Sequence, residues 1–259
     1  MRDTRLATGT RKLIKRWMYA QLSILDGVMI LLGKKNPKLS FTVLGDPNSL
    51  YINFEIKQSA LETFAKLIDL PGELELVPVR VLADEQPAYL LTLNIYEVSG
   101  LVSGSRAEWS TYVDDGDGKP RYMILEAQSS SGSMDPVNIV TRSGKVEHYR
   151  EGATLSSDVA ASDGSRFRSS VRLSEKHSPA TLATEWVAAN DRIYWRNGVF
   201  DRAWYDGNLF DSSALRVGRG DIEIEDGTQW ARYIKRVPRH VLRYEAPLEM
   251  VLSPWFNVD

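Results

Sequence analysis

The sequence of 259 residues predicts an α+β fold dominated by β-strands, a barrel or a sandwich, with one or two helices near the N-terminus. From Glu75 onward, short segments rich in Val, Ile, Leu, Tyr and Trp are separated by Gly, Asp, Ser and Pro, which is typical of strands and turns. The clear helical periodicity lies before Pro71. No internal repeat or Pro-rich linker divides the chain, so we expect a single domain over residues 1–259.

The first 40 residues are basic, with nine Lys and Arg against two Asp, a local charge of +7 in a chain of net charge −2. Apolar residues recur every three or four positions and predict an amphipathic helical extension, at Ile14, Met18, Leu22, Leu25, Met29 and Leu32. The apolar run 17–32 begins late for a signal peptide and is shorter than the roughly 20 residues of a membrane span. We expect this helix to pack on its own domain or on a second subunit; the alternative is a peripheral contact with anionic lipid.

The following elements are predicted in order. Polar and apolar residues alternate over 51–56, which predicts a strand. The capping box Ser59-x-x-Glu62 predicts the start of a helix with Phe64 on its apolar face, and Pro71 ends this helix. Residues 181–189 fit a strand or a helical turn. Further strands are expected at 75–82, 88–98, 105–113, 121–128, 137–142, 145–150, 168–174, 192–196, 222–225 and 241–251.

Composition excludes several classes of function. Without cysteine the chain has no disulfide, no thiolate nucleophile and no Cys-based metal site. A net charge of −2 argues against a nucleic-acid partner. The histidines, His148, His177 and His240, lack metal-ligand spacing, and the acidic run 114–118 has Pro120 where a calcium loop requires Gly. We therefore expect neither a metal nor a cofactor, and a tight hairpin at the acidic run.

The hairpin around that run carries the main candidate site. Arg106, Glu108, Ser110 and Tyr112 alternate on one face of the first strand, which is unusually polar. If Val113 pairs with residue 121, Glu108 lies opposite Glu126 and Arg106 opposite Gln128. Two facing carboxylates raise the pKa of one of them, and a nearby Arg keeps the other ionised, as in a general acid–base pair. The alternative is a solvated surface ladder without function.

The region 71–259 resembles the acetoacetate decarboxylase-like superfamily. The resemblance rests on Leu76-Val-Pro-Val79, the long apolar strand 88–98, Gly104-Ser-Arg-Ala-Glu-Trp109, the succession Tyr112-Val113 to Gly118-Lys-Pro120, and the closing segment 247–255. It implies a closed, curved β-barrel or sheet that encloses an apolar cavity, with flanking helices, in a cytoplasmic homo-oligomer that takes a small-molecule substrate.

The sequence departs from that superfamily at the catalytic lysines. The decarboxylases place adjacent lysines shortly after the Arg-Glu strand, where one forms a Schiff base with the substrate ketone. The equivalent positions here hold Val113 and Asp114, and Lys119 falls in a polar loop. The sequence therefore predicts no Schiff-base decarboxylation.

The resemblance still implies a cofactor-independent, lyase-type enzyme acting on a small apolar carbonyl or carboxylate compound. Arg106 would hold the anion, and Glu108 and Glu126 would move protons. Four aromatic residues would contact the substrate, namely Tyr96, Trp109, Tyr112 and Tyr122. The hydroxyl of Tyr96, Tyr112 or Tyr122 would donate to a developing oxyanion. The alternatives are a non-catalytic barrel that binds an apolar metabolite, and a scaffold that uses the N-terminal helix.

Deleting residues 1–35 tests the prediction for the N-terminal helix. Burying Met18, Leu22, Leu25 and Met29 against protein stabilises the fold by about 6–12 kcal/mol before entropy, so we expect the truncated chain to lose solubility or its oligomeric state. Sedimentation with anionic liposomes is the second readout. A truncated chain that stays folded and soluble, while only the full-length chain binds liposomes, would identify a membrane anchor instead.

Overall fold

The protein is described from a computed structural model. The described residues are 41–45, 47–99, 104–130, 141–142, 144–190, 193–195, 198–199, 214–245 and 248–252. The predicted N-terminal helix lies outside them. Within these ranges no helix is both long enough and apolar enough to cross a membrane.

A large mixed sheet forms the body of the described chain. Its strands are β1 (Phe41–Gly45), β2 (Leu50–Glu55), β3 (Glu75–Leu76), β4 (Leu90–Ser99), β5 (Gly104–Asp114), β6 (Arg121–Ser129), β7 (Thr141–Arg142), β11 (Ser178–Pro179), β12 (Ile193–Trp195), β13 (Gly198–Val199), β14 (Ala214–Arg216), β16 (His240–Tyr244) and β17 (Leu248–Leu252). The central strands run in the order β11-β14-β16-β2-β4-β5-β6-β12-β13, while β1, β3, β7 and β17 pair at its sides.

A second, antiparallel sheet of four strands has the order β15-β10-β9-β8. Its strands are β8 (Gly144–Glu151), β9 (Thr154–Ala161), β10 (Arg166–Arg172) and β15 (Ile222–Asp226). Two short α-helices, Leu61–Leu67 and Thr184–Asn190, and the 3-10 turns Gln58–Ala60, Arg219–Asp221 and Gln229–Arg232 complete the described elements. The β-dominated fold class is confirmed. The closed barrel stays a prediction.

Most predicted elements are present, with three corrections. The capping box at Ser59 is wrong, because residues 58–60 form a 3-10 turn and Ala60 is the N-cap residue, without a side-chain cap. The strand expected at 75–82 stops at Leu76, and residues 241–251 hold parts of two strands rather than one. Five strands were not predicted, namely β1, β9, β11, β13 and β14. In β9, the longest of them, Ser, Ala and Asp make up much of the strand and give little β-propensity.

Both faces of the large sheet are buried. One face, which we call the sheet-packing face, carries Ile52, Phe54 and Trp109 and packs against the apolar side of the four-stranded sheet. The other face, which we call the tyrosine face, is covered in part by the helix Thr184–Asn190 and carries Tyr51, Tyr96, Tyr112, Tyr122 and Tyr244. Strand side chains alternate between the two faces, so neighbouring residues of β5 enter different cores.

Aromatic rings join the two sheets. The indole of Trp109 lies 5.7 Å from the ring of Phe167 on β10, and 6.2 Å from both Phe54 and Trp230, measured between ring centroids. Edge-to-face and tilted pairs at these distances stabilise a core beyond the area that they bury. Trp109 is therefore the central contact between the sheets.

Replacing Trp109 with Ala should lower the free energy of unfolding by about 3–5 kcal/mol, because it leaves a large cavity between the sheets. Urea titration followed by circular dichroism measures the change. Tyr149→Ala is the matched control, since Tyr149 is 51% exposed and its loss should change stability by less than about 0.5 kcal/mol. Equal effects of the two substitutions would contradict a central role for Trp109.

Candidate functional site

Strand β5 brings the main predicted site residues to the tyrosine face. Arg106 and Glu108 are buried, at 4% and 7% exposure. The solvated surface ladder is therefore excluded for these two side chains. The register places Tyr96 of β4 opposite Arg106, and Asn94 opposite Glu108.

Arg106, Glu108 and Tyr96 form one hydrogen-bonded cluster. The Arg106 Nε donates to Glu108 Oε1 at 2.5 Å, and the Tyr96 hydroxyl donates to the same oxygen at 3.2 Å. Among the described residues, Glu108 Oε2 accepts no hydrogen bond. Burial, with the Glu108 charge adding to it, raises the pKa of Tyr96 well above its ordinary value, so this phenol keeps its proton at physiological pH. The cluster thus holds one carboxylate oxygen and leaves the other for a different partner.

The predicted pairing of Glu108 with Glu126 is wrong. From Val113 to Ser110 the register of β5 with β6 is the predicted one, but it shifts by one residue between Ser110 and Trp109. Leu125 is the additional residue of this β-bulge, so Glu108 lies opposite Ala127 and Glu126 lies opposite Trp109. A one-residue shift moves a side chain to the other face of the sheet.

Glu126 accordingly contacts the sheet-packing side of the molecule. Its Oε1 accepts a hydrogen bond from Trp230 Nε1 at 3.2 Å, and its Oε2 lies 3.5 Å from Gln229 Nε2. These contacts tie the turn Gln229–Arg232 to β6. The structure therefore separates the two carboxylates that the sequence placed together, and Glu126 has a structural contact in place of a partner in proton transfer.

A second polar chain crosses the tyrosine face. Trp186 Nε1 donates to the Tyr112 hydroxyl at 2.6 Å, which lies 3.5 Å from Thr92 Oγ1. The Thr92 hydroxyl in turn donates to Asn53 Oδ1 at 2.7 Å. The sequence did not identify Trp186, Thr92 or Asn53 as site residues. The signal was present for β4, where Thr92, Asn94 and Tyr96 interrupt an apolar run at every second position.

Three buried polar groups on this face have no hydrogen bond within the described residues. They are Asn53 Nδ2, Asn94 Oδ1 and the hydroxyl of Tyr244. Burial raises the pKa of Tyr244, so it remains a neutral phenol. Buried polar atoms almost always have partners in proteins, and a ligand with donor and acceptor atoms would supply them here.

The aromatic residues predicted to bind substrate lie on different faces. Tyr96, Tyr112 and Tyr122 share the tyrosine face, and the rings of Tyr112 and Tyr122 meet edge to face at 5.7 Å. Trp109 faces the opposite core and does not reach them. The prediction that Trp109 lines the same site as Arg106 is therefore wrong, because neighbouring residues of a strand point to opposite sides.

The acidic hairpin loop is organised around an arginine. Carboxylate oxygens of Asp114, Asp115 and Asp117 come within 4.8 Å of one another. Arg121 lies among them, with Nη1 2.6 Å from Asp115 and Nη2 3.1 Å from Asp117. Its guanidinium supplies the positive charge that three converging carboxylates require, so the loop is a folded hairpin with an internal counter-ion.

The described histidines serve separate parts of the structure. The ring of His148 lies 2.9 Å from Ser157 Oγ and 3.0 Å from the carbonyl oxygen of Asn48, and burial lowers its pKa to about 4. His177 is 3.7 Å from Asp221, and His240 is 3.3 Å from Glu85. Each ring therefore has its own surroundings, away from the Arg106 cluster.

Comparison with solved structures confirms the resemblance at the level of the fold. The chain is similar to the crystal structure of acetoacetate decarboxylase from Legionella pneumophila, with a TM-score of 0.54, 10% identity, and 86% of this chain and 90% of that chain covered. It is also similar to an acetoacetate decarboxylase-like enzyme from Sphingomonas wittichii RW1, with a TM-score of 0.52, 9% identity, and 83% and 92% covered. No family model matches the sequence, and no curated protein matches it significantly. The similarity is therefore one of fold.

Borohydride reduction in the presence of ketones should trap no covalent adduct. Schiff-base formation requires an amine whose pKa is lowered by burial or by a neighbouring cation, and no lysine in the described ranges is buried. Intact-mass spectrometry after reduction with a panel of 3-oxo acids is the measurement. A stable adduct mapped to Lys119 would contradict the prediction.

Proposed function

We propose that this chain binds a small carbonyl or carboxylate compound with an apolar body on the tyrosine face, and that it catalyses a cofactor-independent, lyase-type step. The reaction class is dehydration, aldol-type cleavage or enolisation, without a Schiff base. The observation that carries the proposal is the buried cluster of Arg106, Glu108 and Tyr96. The similarity to decarboxylase folds supports an enclosed apolar cavity in a closed barrel and a homo-oligomer.

Arg106 is proposed to bind the anionic group of the substrate. A guanidinium carries five N–H donors in a planar fork, and the Nε of Arg106 contacts Glu108. In a buried setting the attraction between Arg and a substrate carboxylate is much stronger than in water. The ion pair with Glu108 stabilises this buried charge before substrate binds.

Glu108 is proposed to transfer the proton. The cluster holds Oε1, so Oε2 takes a proton from the carbon next to the substrate carbonyl. The electron pair of the C–H bond forms a C=C bond to the carbonyl carbon, and the π pair of the C=O bond moves to the oxygen. The resulting oxyanion needs nearby donors. The candidates are Asn53 Nδ2, which is buried without a partner among the described residues, and the hydroxyls of Tyr112 and Tyr122 on the same face.

The separation of Glu126 from Glu108 favours a second candidate function. With Glu126 on the other face, one carboxylate remains for a reaction that was first assigned to two. A non-catalytic barrel that binds an apolar carboxylate requires only Arg106 and the aromatic surroundings. Binding and turnover must therefore be measured separately.

Deuterium exchange distinguishes the two functions. The full chain is incubated in D₂O with 2-oxo and 3-oxo carboxylates that carry apolar chains, and exchange at the carbon next to the carbonyl is followed by proton NMR. Thermal shift with the same compounds reports binding. An enzyme should accelerate exchange, whereas a binder should raise the melting temperature without exchange.

Glu108→Gln should reduce the exchange rate by about 100-fold or more, because the amide cannot accept the proton. It retains an oxygen for the hydrogen bonds from Arg106 and Tyr96, so we expect ligand binding to persist. Glu126→Gln is the matched control and should leave exchange unchanged, since Glu126 contacts Trp230 on the other face. Full exchange in Glu108→Gln, or its loss in Glu126→Gln, would contradict the assignment.

A further inference from the structure

A basic cleft lies away from the Arg106 cluster, between the β14–β16 side of the large sheet and the edge strand β15 of the small sheet. Its volume is about 560 Å³, which is within the range of small-molecule sites. The loop before β16 and the 3-10 turn Arg219–Asp221 form part of its wall.

Positive charge predominates in this cleft. Its lining includes one carboxylate, that of Asp221, against five Lys and Arg side chains, which are Lys176, Arg216, Arg219, Arg236 and Arg239. Asp221 lies 3.4 Å from Arg172, outside the cleft lining. The cleft therefore has more cations than its own acid neutralises.

The five cations divide into two groups. Arg216 and Arg239 both contact Glu85, at 2.8 and 3.3 Å, and are held in place by it. Within the described residues, Lys176, Arg219 and Arg236 form no ion pair, and all three are exposed. These three side chains are available to an anion that enters from solvent.

His240 in the cleft wall is affected by the charges around it. Burial is the main cause that lowers the pKa of His240 to about 3, and the charges of Arg239, Arg216 and Arg219 lower it further. A second proton on this imidazole is unfavourable mainly because the ring is buried; the charges of the three arginines add to this, and the charge of Asp84 opposes them. The charges of these arginines favour a negatively charged ligand.

The cleft also has an apolar wall. Val217, Ile222, Ile224 and Val241 contribute to it, and Val237 is 58% exposed beside the cations. An inorganic ion would contact the cations but not this wall. A ligand that fits both surfaces has an apolar body and a multiply charged anionic group.

We propose that the cleft is a second binding site, for a small organic phosphate whose apolar body packs on the valine and isoleucine wall. Arg236, Arg219 and Lys176 contact the phosphate oxygens. Arginine suits this role because its planar fork matches phosphate geometry with two parallel hydrogen bonds. The site is separate from the tyrosine face and does not depend on the reaction proposed for it.

Isothermal titration calorimetry of the full chain with 1-naphthyl phosphate tests this proposal, with 1-naphthol and inorganic phosphate as partial ligands. The whole compound should bind at least about tenfold more tightly than either part, and added salt should weaken its binding. Arg236→Ala and Lys176→Ala should each weaken binding by about tenfold, the loss of one charge-assisted contact. Both residues are exposed, so both variants should remain folded by circular dichroism.

Lys145→Ala is the control for a general loss of charge. Lys145 is an exposed cation on β8, at the opposite edge of the small sheet, and its removal should leave affinity unchanged. Glu108→Gln should also leave it unchanged, so failure at this cleft is distinguishable from failure of the proposed reaction. Three outcomes would each overturn the proposal. The first is that 1-naphthol binds as tightly as 1-naphthyl phosphate, and the second is that all three cation variants have equal effects. The third is that inorganic phosphate binds as tightly as 1-naphthyl phosphate, which would indicate an adventitious ion only.

Discussion

Burial of strand β5 on both faces is the constraint on which the rest of the structure depends. One set of its residues enters the aromatic core between the two sheets, and the alternate set enters the core beneath the tyrosine face. A charged residue at any of these positions is costly unless a partner lies within reach. Arg106 and Glu108 satisfy this requirement through each other and through Tyr96. The candidate site is therefore a direct result of placing polar residues on a strand that has no solvent-facing side.

The two-residue period of strands explains how much of the site could be predicted. The alternation of Arg106, Glu108 and Tyr112 predicted that they share a face, and they do. Most strands of the described chain were also predicted from their Val, Ile and aromatic content. β9 was missed because its composition is polar and its place in the small sheet comes from pairing with β8 and β10 on either side.

The position of Glu126 could not be predicted, because no local pattern indicated the bulge at Leu125. Residues on either side of it have ordinary strand composition, and the shift becomes visible only in the pairing with β5. Asn53 and Asn94 were missed for a different reason. Their importance depends on one atom of each amide, Asn53 Nδ2 and Asn94 Oδ1, having no hydrogen bond within the described residues, and this is a property of three-dimensional packing rather than of spacing.

The bulge in β6 has a consequence for comparison with distant proteins of the same fold. If a chain without this bulge is aligned with the present one without a gap, every residue of β6 after Ile124 is matched with a position on the wrong side of the sheet. Glu126 would then be equated with a residue on the tyrosine face, although here it supports a turn through Trp230. At identities near 10%, few identical residues are present to reveal the error. Transfer of catalytic roles onto this strand is reliable only when the gap is placed at Leu125.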